Sequence, residues 1–298
     1  GVPREPGGRH VEWLVTGVGA LLVAVVLEDV FHTLWHPSGW GRLSRAVMRS
    51  VWGLGRGRAR LAPVVGPLAV TAVVAVWGLV AVLGWTLVYL PHMPASFSFG
   101  TGLDPSARSD VVDSVYLSLV TVATLGFGDI VPQAAWLRLA TPLQALVGFT
   151  LVTAAVSWVL QIYPALARRR ALALRLGLLA RARTAERLPV LGSTYATDLL
   201  DDVATSLVEV RVDLAQYSET YYFRDADPAW SLAATVGHVQ ELVAAGRAVP
   251  PEDVRLAADV LAGALEELCE LLDRQYLDTG GSVDDILAAY AAEHGPVP

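Results

Sequence analysis

Three long apolar runs constrain the fold of this chain more than any other feature. They extend over about Val11 to Trp35, Val64 to Leu90 and Trp136 to Tyr163. Each reaches the roughly 20 residues that a helix needs to cross about 30 Å of hydrocarbon. Because the second half of the chain is otherwise polar, the pattern predicts an all-α membrane protein, with three transmembrane helices followed by a cytoplasmic helical bundle.

The positions of the arginines predict the orientation. They cluster after the first run, at Arg42, Arg45, Arg49, Arg56, Arg58 and Arg60, and after the third, at Arg168, Arg169, Arg170, Arg175, Arg181, Arg183 and Arg187. Short cytoplasmic loops collect positive charge. We therefore expect a multi-pass protein of the cell membrane with a cytoplasmic carboxyl-terminal domain and an extracellular amino terminus.

The first arginine-rich loop also has helical spacing, with Leu43, Val47, Val51 and Leu54 on one line. This spacing predicts a helix lying along the inner membrane interface. Its arginines would act as a positive anchor, or as a site through which membrane lipids regulate the protein.

The segment between the second and third runs is different. Val111 to Ala123 is too short to span, and it leads into a glycine-containing stretch that a lipid-facing helix would not tolerate. Such backbone is allowed only where protein buries it or where it lines water.

The stretch Thr124–Asp129, TLGFGD, has a composition suited to binding a bare cation. A segment that selects ions must replace the hydration shell of the cation with oxygen atoms. Backbone carbonyls can supply these oxygens if consecutive residues turn them toward one axis. We expect Gly126 and Gly128 to adopt positive backbone angles, with Leu125 and Phe127 packing outward against a surrounding wall. Thr124 would add a hydroxyl oxygen at the inner end.

The flanks of this stretch are also suited to cations. Asp113 to Ala123 is predicted to form a short helix whose carboxyl end points its partial negative charge toward the filter. Asp129 would form a ring of carboxylates at the outer mouth.

Residues 116–132, YLSLVTVATLGFGDIVP, resemble the pore helix, filter and outer mouth of the tetrameric potassium channel family, whose typical filter reads TVGYGD. The resemblance covers about Val64 to Tyr163. It implies a homotetramer of identical subunits, with the second span as outer helix and the third as inner, gate-bearing helix. The residues implied to line the potassium sites are Thr124, Leu125, Gly126, Phe127 and Gly128.

Departures from the family pattern limit what the resemblance implies. Phe127 and Leu125 replace the common Tyr and Val, as in two-pore-domain relatives, so potassium selectivity is still expected, and Ala123 replaces a second Thr. Leu117 and Val120 stand where some members have a Trp that bonds the Asp and a Glu behind the filter. The sequence therefore does not predict the outer-mouth network that those side chains form.

Two residues of the third run are candidates for gating. Gly148 would serve as a bend during opening or as a point of close helix packing, and Pro164 would kink the helix or mark the membrane exit. Glu28 and Asp29 lie toward the cytoplasmic third of the first run, and His32 and His36 lie on the following turns. They would sense protons, or they would form an interfacial cluster bonded to the arginine-rich loop.

The last part of the chain is predicted to be helical. Two stretches carry a seven-residue repeat, at Leu200, Val203, Leu207, Val210, Leu214, Tyr217 and Tyr221, and at Val254, Ala257, Leu261, Ala264, Leu268 and Leu271. Such stripes pack inside each subunit or form a coiled coil between subunits. Cys269 is interpreted as a packed thiol.

Composition and missing motifs narrow the function. The net charge is -7 and all the basic charge is arginine, so nucleic acid is not an expected partner. No phosphate loop, zinc-ligand spacing or nucleophile elbow occurs in the sequence, so we expect neither an enzyme nor a cofactor other than bound potassium ions. The ligand of the cytoplasmic domain is not predicted.

The predicted regions are residues 1–36 (amino-terminal segment and first span), 37–62 (arginine-rich interfacial helix), 63–165 (pore domain) and 166–298 (cytoplasmic helical domain). The leading hypothesis is passive potassium conduction, with the helical domain serving regulation or assembly. Alternatives are a non-conducting membrane receptor or scaffold, a weakly selective cation channel, and a component of a potassium uptake system.

Overall fold

A computed structural model describes residues 6–34, 41–55, 62–100, 108–225 and 227–294, and these are mostly helical. The helices of the first part are α1 (Pro6–Leu34), α2 (Arg42–Gly55), α3 (Ala62–Tyr89), α4 (Asp110–Val122) and α5 (Ala135–Arg181). Those of the second part are α6 (Thr184–Arg187), α7 (Ser193–Gln216), α8 (Leu232–Thr235), α9 (His238–Arg247), α10 (Glu252–Leu272) and α11 (Val283–His294). Two short strands are β1 (Phe97–Phe99) and β2 (Ile130–Pro132).

The chain divides into two compact units. The first contains α1, the beginning of α2, most of α3, both strands, α4, and α5 as far as Val159. The second contains the rest of α2, the beginning of α3, and the chain from Leu160 onward.

Among the described residues, three helices are long and apolar enough to cross a membrane. They include Arg9–Leu34, Val64–His92 and Ala135–Arg181. The predicted number of candidate spans is therefore confirmed, by length and composition.

Glycines allow α1 and α3 to approach closely in the first unit. A Cβ atom on Gly19 would lie 2.4 Å from the carbonyl oxygen of Gly84, and one on Gly84 would lie 2.9 Å from the carbonyl oxygen of Gly19. This is how small residues bring membrane helices together.

Helix α3 also contacts α5. Trp77 on α3 is buried, and its ring centroid lies 5.4 Å from that of Trp158 on α5.

The strands form a two-stranded antiparallel sheet that the all-α prediction missed. Phe97 pairs with Pro132 and Phe99 with Ile130, and the amide of Gly100 donates to the carbonyl of Asp129 (2.7 Å). Three-residue strands are too short for an alternating pattern to be recognised in the sequence. The pairing fixes the chain directly after Asp129.

Helix α5 differs from the predicted third span in its length. It continues through Pro164 to Arg181, so the proline does not end the helix. Its 47 residues would extend about 70 Å at about 1.5 Å per residue, which is more than twice the hydrocarbon thickness of about 30 Å.

The helix predicted in the first arginine-rich loop is present as α2, although Arg56, Arg58 and Arg60 lie outside the described residues. Its position at the membrane interface remains a prediction. Its buried line runs through Ser44, Met48 and Trp52. That line lies one residue beyond the predicted apolar line, on which Leu54 is exposed. The buried line includes a polar residue, Ser44, whose hydrogen bonds to Asp29 are not indicated by apolar spacing.

The second unit buries both heptad stripes within one chain. On α7 and α10 the buried residues include Leu200, Leu207, Val254, Leu261 and Leu268, and the two helices pack against each other. Both stripes therefore pack within one chain, as in the interpretation of a helical bundle. Cys269 is also buried there, and burial raises the pKa of its thiol to about 12, as expected of a packed thiol.

The arginine cluster of α5 is held by acidic residues of the second unit. Arg168 donates to both carboxylate oxygens of Asp213 (2.7 and 2.6 Å). Arg169 and Arg170 both donate to Asp225, at 3.1 and 2.6 Å. The carboxyl-terminal part of α5 is thus bound to α7 and to the segment before α8.

Candidate functional site

The site begins where α4 ends. The amide of Thr124 donates to the carbonyl of Thr121 (3.0 Å), and that of Leu125 donates to Val120 (2.9 Å). These two bonds form a Schellman motif, in which the residue after the C-cap is left-handed. The position is normally glycine, but here Thr124 occupies it with φ of +58°. A β-branched residue is strained in this conformation, and such strain is typical of functional sites.

The sign of the backbone angle φ alternates from residue to residue over Leu125–Gly128. Gly126 has φ of +55° and Gly128 has φ of +76°, whereas Leu125 and Phe127 do not have positive φ. Both glycines therefore have the backbone angles expected from the sequence, and Thr124 adds a third positive φ that was not expected. Alternating hands of the backbone allow successive peptide groups to face the same side of the chain, in contrast to a β-strand.

The chain itself leaves this segment uncovered. Leu125 is 59% exposed and Phe127 is 66% exposed, and a Cβ on Gly126 or Gly128 would meet no atom within 4 Å. The described residues of the same chain therefore do not provide the wall expected around Leu125 and Phe127.

Asp129, at the far end, is held on two sides. The hydroxyl of Tyr116 on α4 donates to its carboxylate at 2.5 Å, and the amide of Ile130 donates to the other oxygen at 3.1 Å. A bond from α4 to Asp129 is thus present, although Leu117 and Val120 cannot make it. The sequence feature that could have indicated this bond is Tyr116, an aromatic residue with a hydroxyl group, one position before Leu117.

Gly148 lies against the end of α4. A Cβ atom at this position would be 2.1 Å from the carbonyl oxygen of Val122. The structure therefore favours the interpretation as close helix packing, because α5 can approach α4 only if residue 148 has no side chain.

The candidate sensor residues do not form one cluster. Asp29 is buried, whereas the side chain of Glu28 is 65% exposed and its carboxylate lies 3.7 Å from the ring of His32. His36 lies outside the described residues. Proton sensing by Glu28 and His32 remains a prediction.

Asp29, a residue of α1, caps the amino-terminal end of α2. Its carboxylate accepts from the amides of Leu43 (2.8 Å) and Ser44 (3.1 Å), the hydroxyl of Ser44 (2.5 Å) and the indole of Trp77 (2.8 Å). The two amides belong to the first turn of α2, where donors lack partners within the helix and negative charge is favourable. A Cβ on Gly41 would lie 2.2 Å from this carboxylate, so glycine is needed beside it. The carboxylate joins α1, α2 and α3.

Replacing Asp29 with asparagine should destabilise the protein by about 2–3 kcal/mol, because an amide group would face donors that now share a buried carboxylate. The measurement is thermal unfolding in detergent. Glu28→Gln is the matched control, since the neighbouring carboxylate is exposed, and its unfolding should be nearly unchanged. Equal unfolding temperatures for both variants would contradict the capping role.

Comparisons with known proteins agree with this location of the site. A family model described as "Ion channel" matches residues 75–163. The "Uncharacterized membrane protein YdjJ" of Bacillus subtilis (strain 168) is 26% identical over 165 residues, which cover 54% of this chain and 47% of that protein. The chain therefore spans about half the length of the curated relative that it matches. No solved structure matches the chain significantly.

The match to the ion channel model includes α4, residues 123–129, and α5 as far as Tyr163. The candidate site therefore lies inside the region of the chain that is similar to the ion channel family.

Proposed function

We propose that the chain is one subunit of a homotetrameric, potassium-selective channel of the cell membrane. In this proposal the carbonyl oxygens of residues 124–127 bind dehydrated potassium ions, and conduction is passive. The observation that carries the proposal is the alternation of backbone φ through Thr124, Gly126 and Gly128, directly after a short helix and between two candidate spans.

The backbone supports ion binding in preference to packing. Carbonyl oxygens can replace the hydration shell of a cation if they line one side of the chain, and a segment at membrane depth with unpaired carbonyls is tolerated only along a water-filled path. The carboxyl end of α4 adds partial negative charge next to Thr124. This charge favours a cation that has lost its water.

The exposure of the segment supports assembly from several copies. One chain supplies one loop, which cannot surround an ion. Leu125 and Phe127 are exposed apolar residues, and neighbouring subunits would cover them and supply the missing wall. Four copies are what the family resemblance implies.

The remaining assignments follow from the same geometry. α3 would be the outer helix and α5 the inner helix, and Asp129, held by Tyr116, would form the ring of carboxylates at the outer mouth. The second unit would serve regulation or assembly from the cytoplasm, because α5 continues into it and is bound there by Asp213 and Asp225.

The experiment is a flux assay on purified protein in liposomes loaded with potassium. We expect potassium efflux that barium blocks, with little sodium flux. Equal fluxes of potassium and sodium would favour a weakly selective cation channel. A folded tetramer without flux would favour a non-conducting receptor or scaffold and would contradict the proposal.

A further inference from the structure

The contact between α4 and α5 contains a buried amide that the sequence did not single out. Gln144 on α5 is fully buried. Its amide nitrogen donates to both the carbonyl oxygen and the hydroxyl of Ser118 on α4, each at 3.0 Å. Its amide oxygen accepts a bond from the hydroxyl of Tyr89 at the end of α3.

The hydrogen bonds of this group are complete. The hydroxyl of Ser118 accepts from Gln144 and donates to the carbonyl of Val82 on α3 (2.8 Å). Each hydrogen of the Gln144 amide, its oxygen, and the Ser118 hydroxyl therefore has a partner. A network that is both buried and fully satisfied fixes its members in one arrangement, because any displacement leaves a polar group without a partner.

A second contact lies one helical turn along both helices. Gly148 is four residues after Gln144, and it lies against the carbonyl of Val122, which is four residues after Ser118. The two contacts hold α4 on α5 over a full turn. That turn ends at Val122, two residues before Thr124, where the alternating backbone begins.

We infer that Gln144 is a positioning residue through which α5 sets the position of the ion-conducting segment. The inference rests on the proposed function. A movement of α5 at Gln144 must break its bonds to Ser118 or carry Ser118 with it. Because Ser118 is also bonded to α3, the segment that starts at Thr124 keeps its geometry only while α3, α4 and α5 stay in register.

The decisive variant is Gln144→Leu, which removes the amide and keeps an apolar side chain of similar length. The expected result is a potassium-to-sodium permeability ratio about fivefold lower than in the wild type, the factor that corresponds to one hydrogen bond of ordinary net strength. The ratio is obtained from reversal potentials in planar bilayers. A role in stability alone would reduce the amount of folded protein and leave this ratio unchanged.

Tyr89→Phe provides a second, milder variant in case Gln144→Leu does not fold. It removes the donor to the amide oxygen and keeps both bonds to Ser118, so the ratio should fall in the same direction by a smaller factor. Gln133→Leu is the matched control, because that exposed amide bonds to the Ser98 hydroxyl. Its ratio should equal that of the wild type.

The outcomes separate this inference from the proposed function. If the wild type is selective and the folded Gln144→Leu and Tyr89→Phe channels are equally selective, the positioning role is wrong and the channel stands. If only Tyr89→Phe folds, an unchanged ratio overturns the inference and a lowered ratio supports it. A wild type without potassium flux overturns both.

Discussion

Replacing Gly126 with alanine is expected to abolish potassium flux while leaving the chain folded. Gly126 has φ of +55°, and a Cβ there meets no atom of its own chain, so the penalty comes from the backbone conformation and not from a clash. The left-handed conformation costs an alanine about 1–2 kcal/mol, so the four chains of the proposed channel would together lose about 4–8 kcal/mol. The measurement is potassium efflux from liposomes containing equal amounts of folded protein.

Gly78→Ala is the matched control for this variant. Gly78 lies inside α3, and a Cβ there also meets no atom within 4 Å, but its φ is not in the left-handed region. Its flux should equal that of the wild type. Normal flux from the Gly126→Ala protein would show that the positive φ at this residue has no part in conduction.

Replacing Asp225 with alanine should destabilise the second unit by about 3–5 kcal/mol, the cost of removing one partner from a buried ion pair. The side chains of Asp225 and Arg169 are 3% and 5% exposed. Arg169 also donates to the carbonyls of Thr220 and Phe223, both at 2.8 Å, so it stays buried when the carboxylate is lost. Thermal unfolding of the whole protein in detergent measures the effect.

An exposed ion pair provides the comparison for Asp225. Asp202 bonds to Arg175 at 3.0 Å, and their side chains are 69% and 37% exposed. Asp202→Ala should therefore change the stability by about 1 kcal/mol or less. If both aspartate variants unfolded at the same temperature, the bonds of Asp225 to Arg169 and Arg170 could not be a main source of stability within the second unit.

The sequence predicted the elements whose signals are local. Candidate spans appear as long apolar runs, α2 as helical spacing among arginines, and the stripes of α7 and α10 as seven-residue repeats. The prediction that Gly126 and Gly128 take positive φ also needed only their own identity, because glycine is the residue that adopts this conformation without strain.

The side-chain partners of the site could not be predicted in the same way. Tyr116 and Asp129 are 13 residues apart, Gln144 and Ser118 are 26 apart, and Gln144 and Tyr89 are 55 apart. Each pair depends on how helices pack after they form, and a polar residue in an apolar run does not indicate its partner. The family pattern directed attention to Leu117 and Val120, whereas this chain uses Tyr116.

The partners of Asp29 also could not be predicted from the sequence. Its position in the first run suggested a proton sensor or a polar cluster bonded to the arginine-rich loop. The partners of Asp29 are backbone amides of that loop, at the beginning of α2, together with Trp77 on α3. Helix spacing indicates that α2 exists, but not which carboxylate satisfies its first turn. Pro164 lies within the 47-residue α5, and its role as a kink or as a marker of the membrane exit remains a prediction.

The reversal potential in a planar bilayer with a tenfold potassium gradient and balancing sodium tests the central claim most directly. A potassium-selective pore predicts a reversal near the potassium equilibrium potential, about 59 mV for a monovalent ion. A reversal near zero under the same gradient would contradict potassium selectivity and the assignment of residues 124–128 as its source.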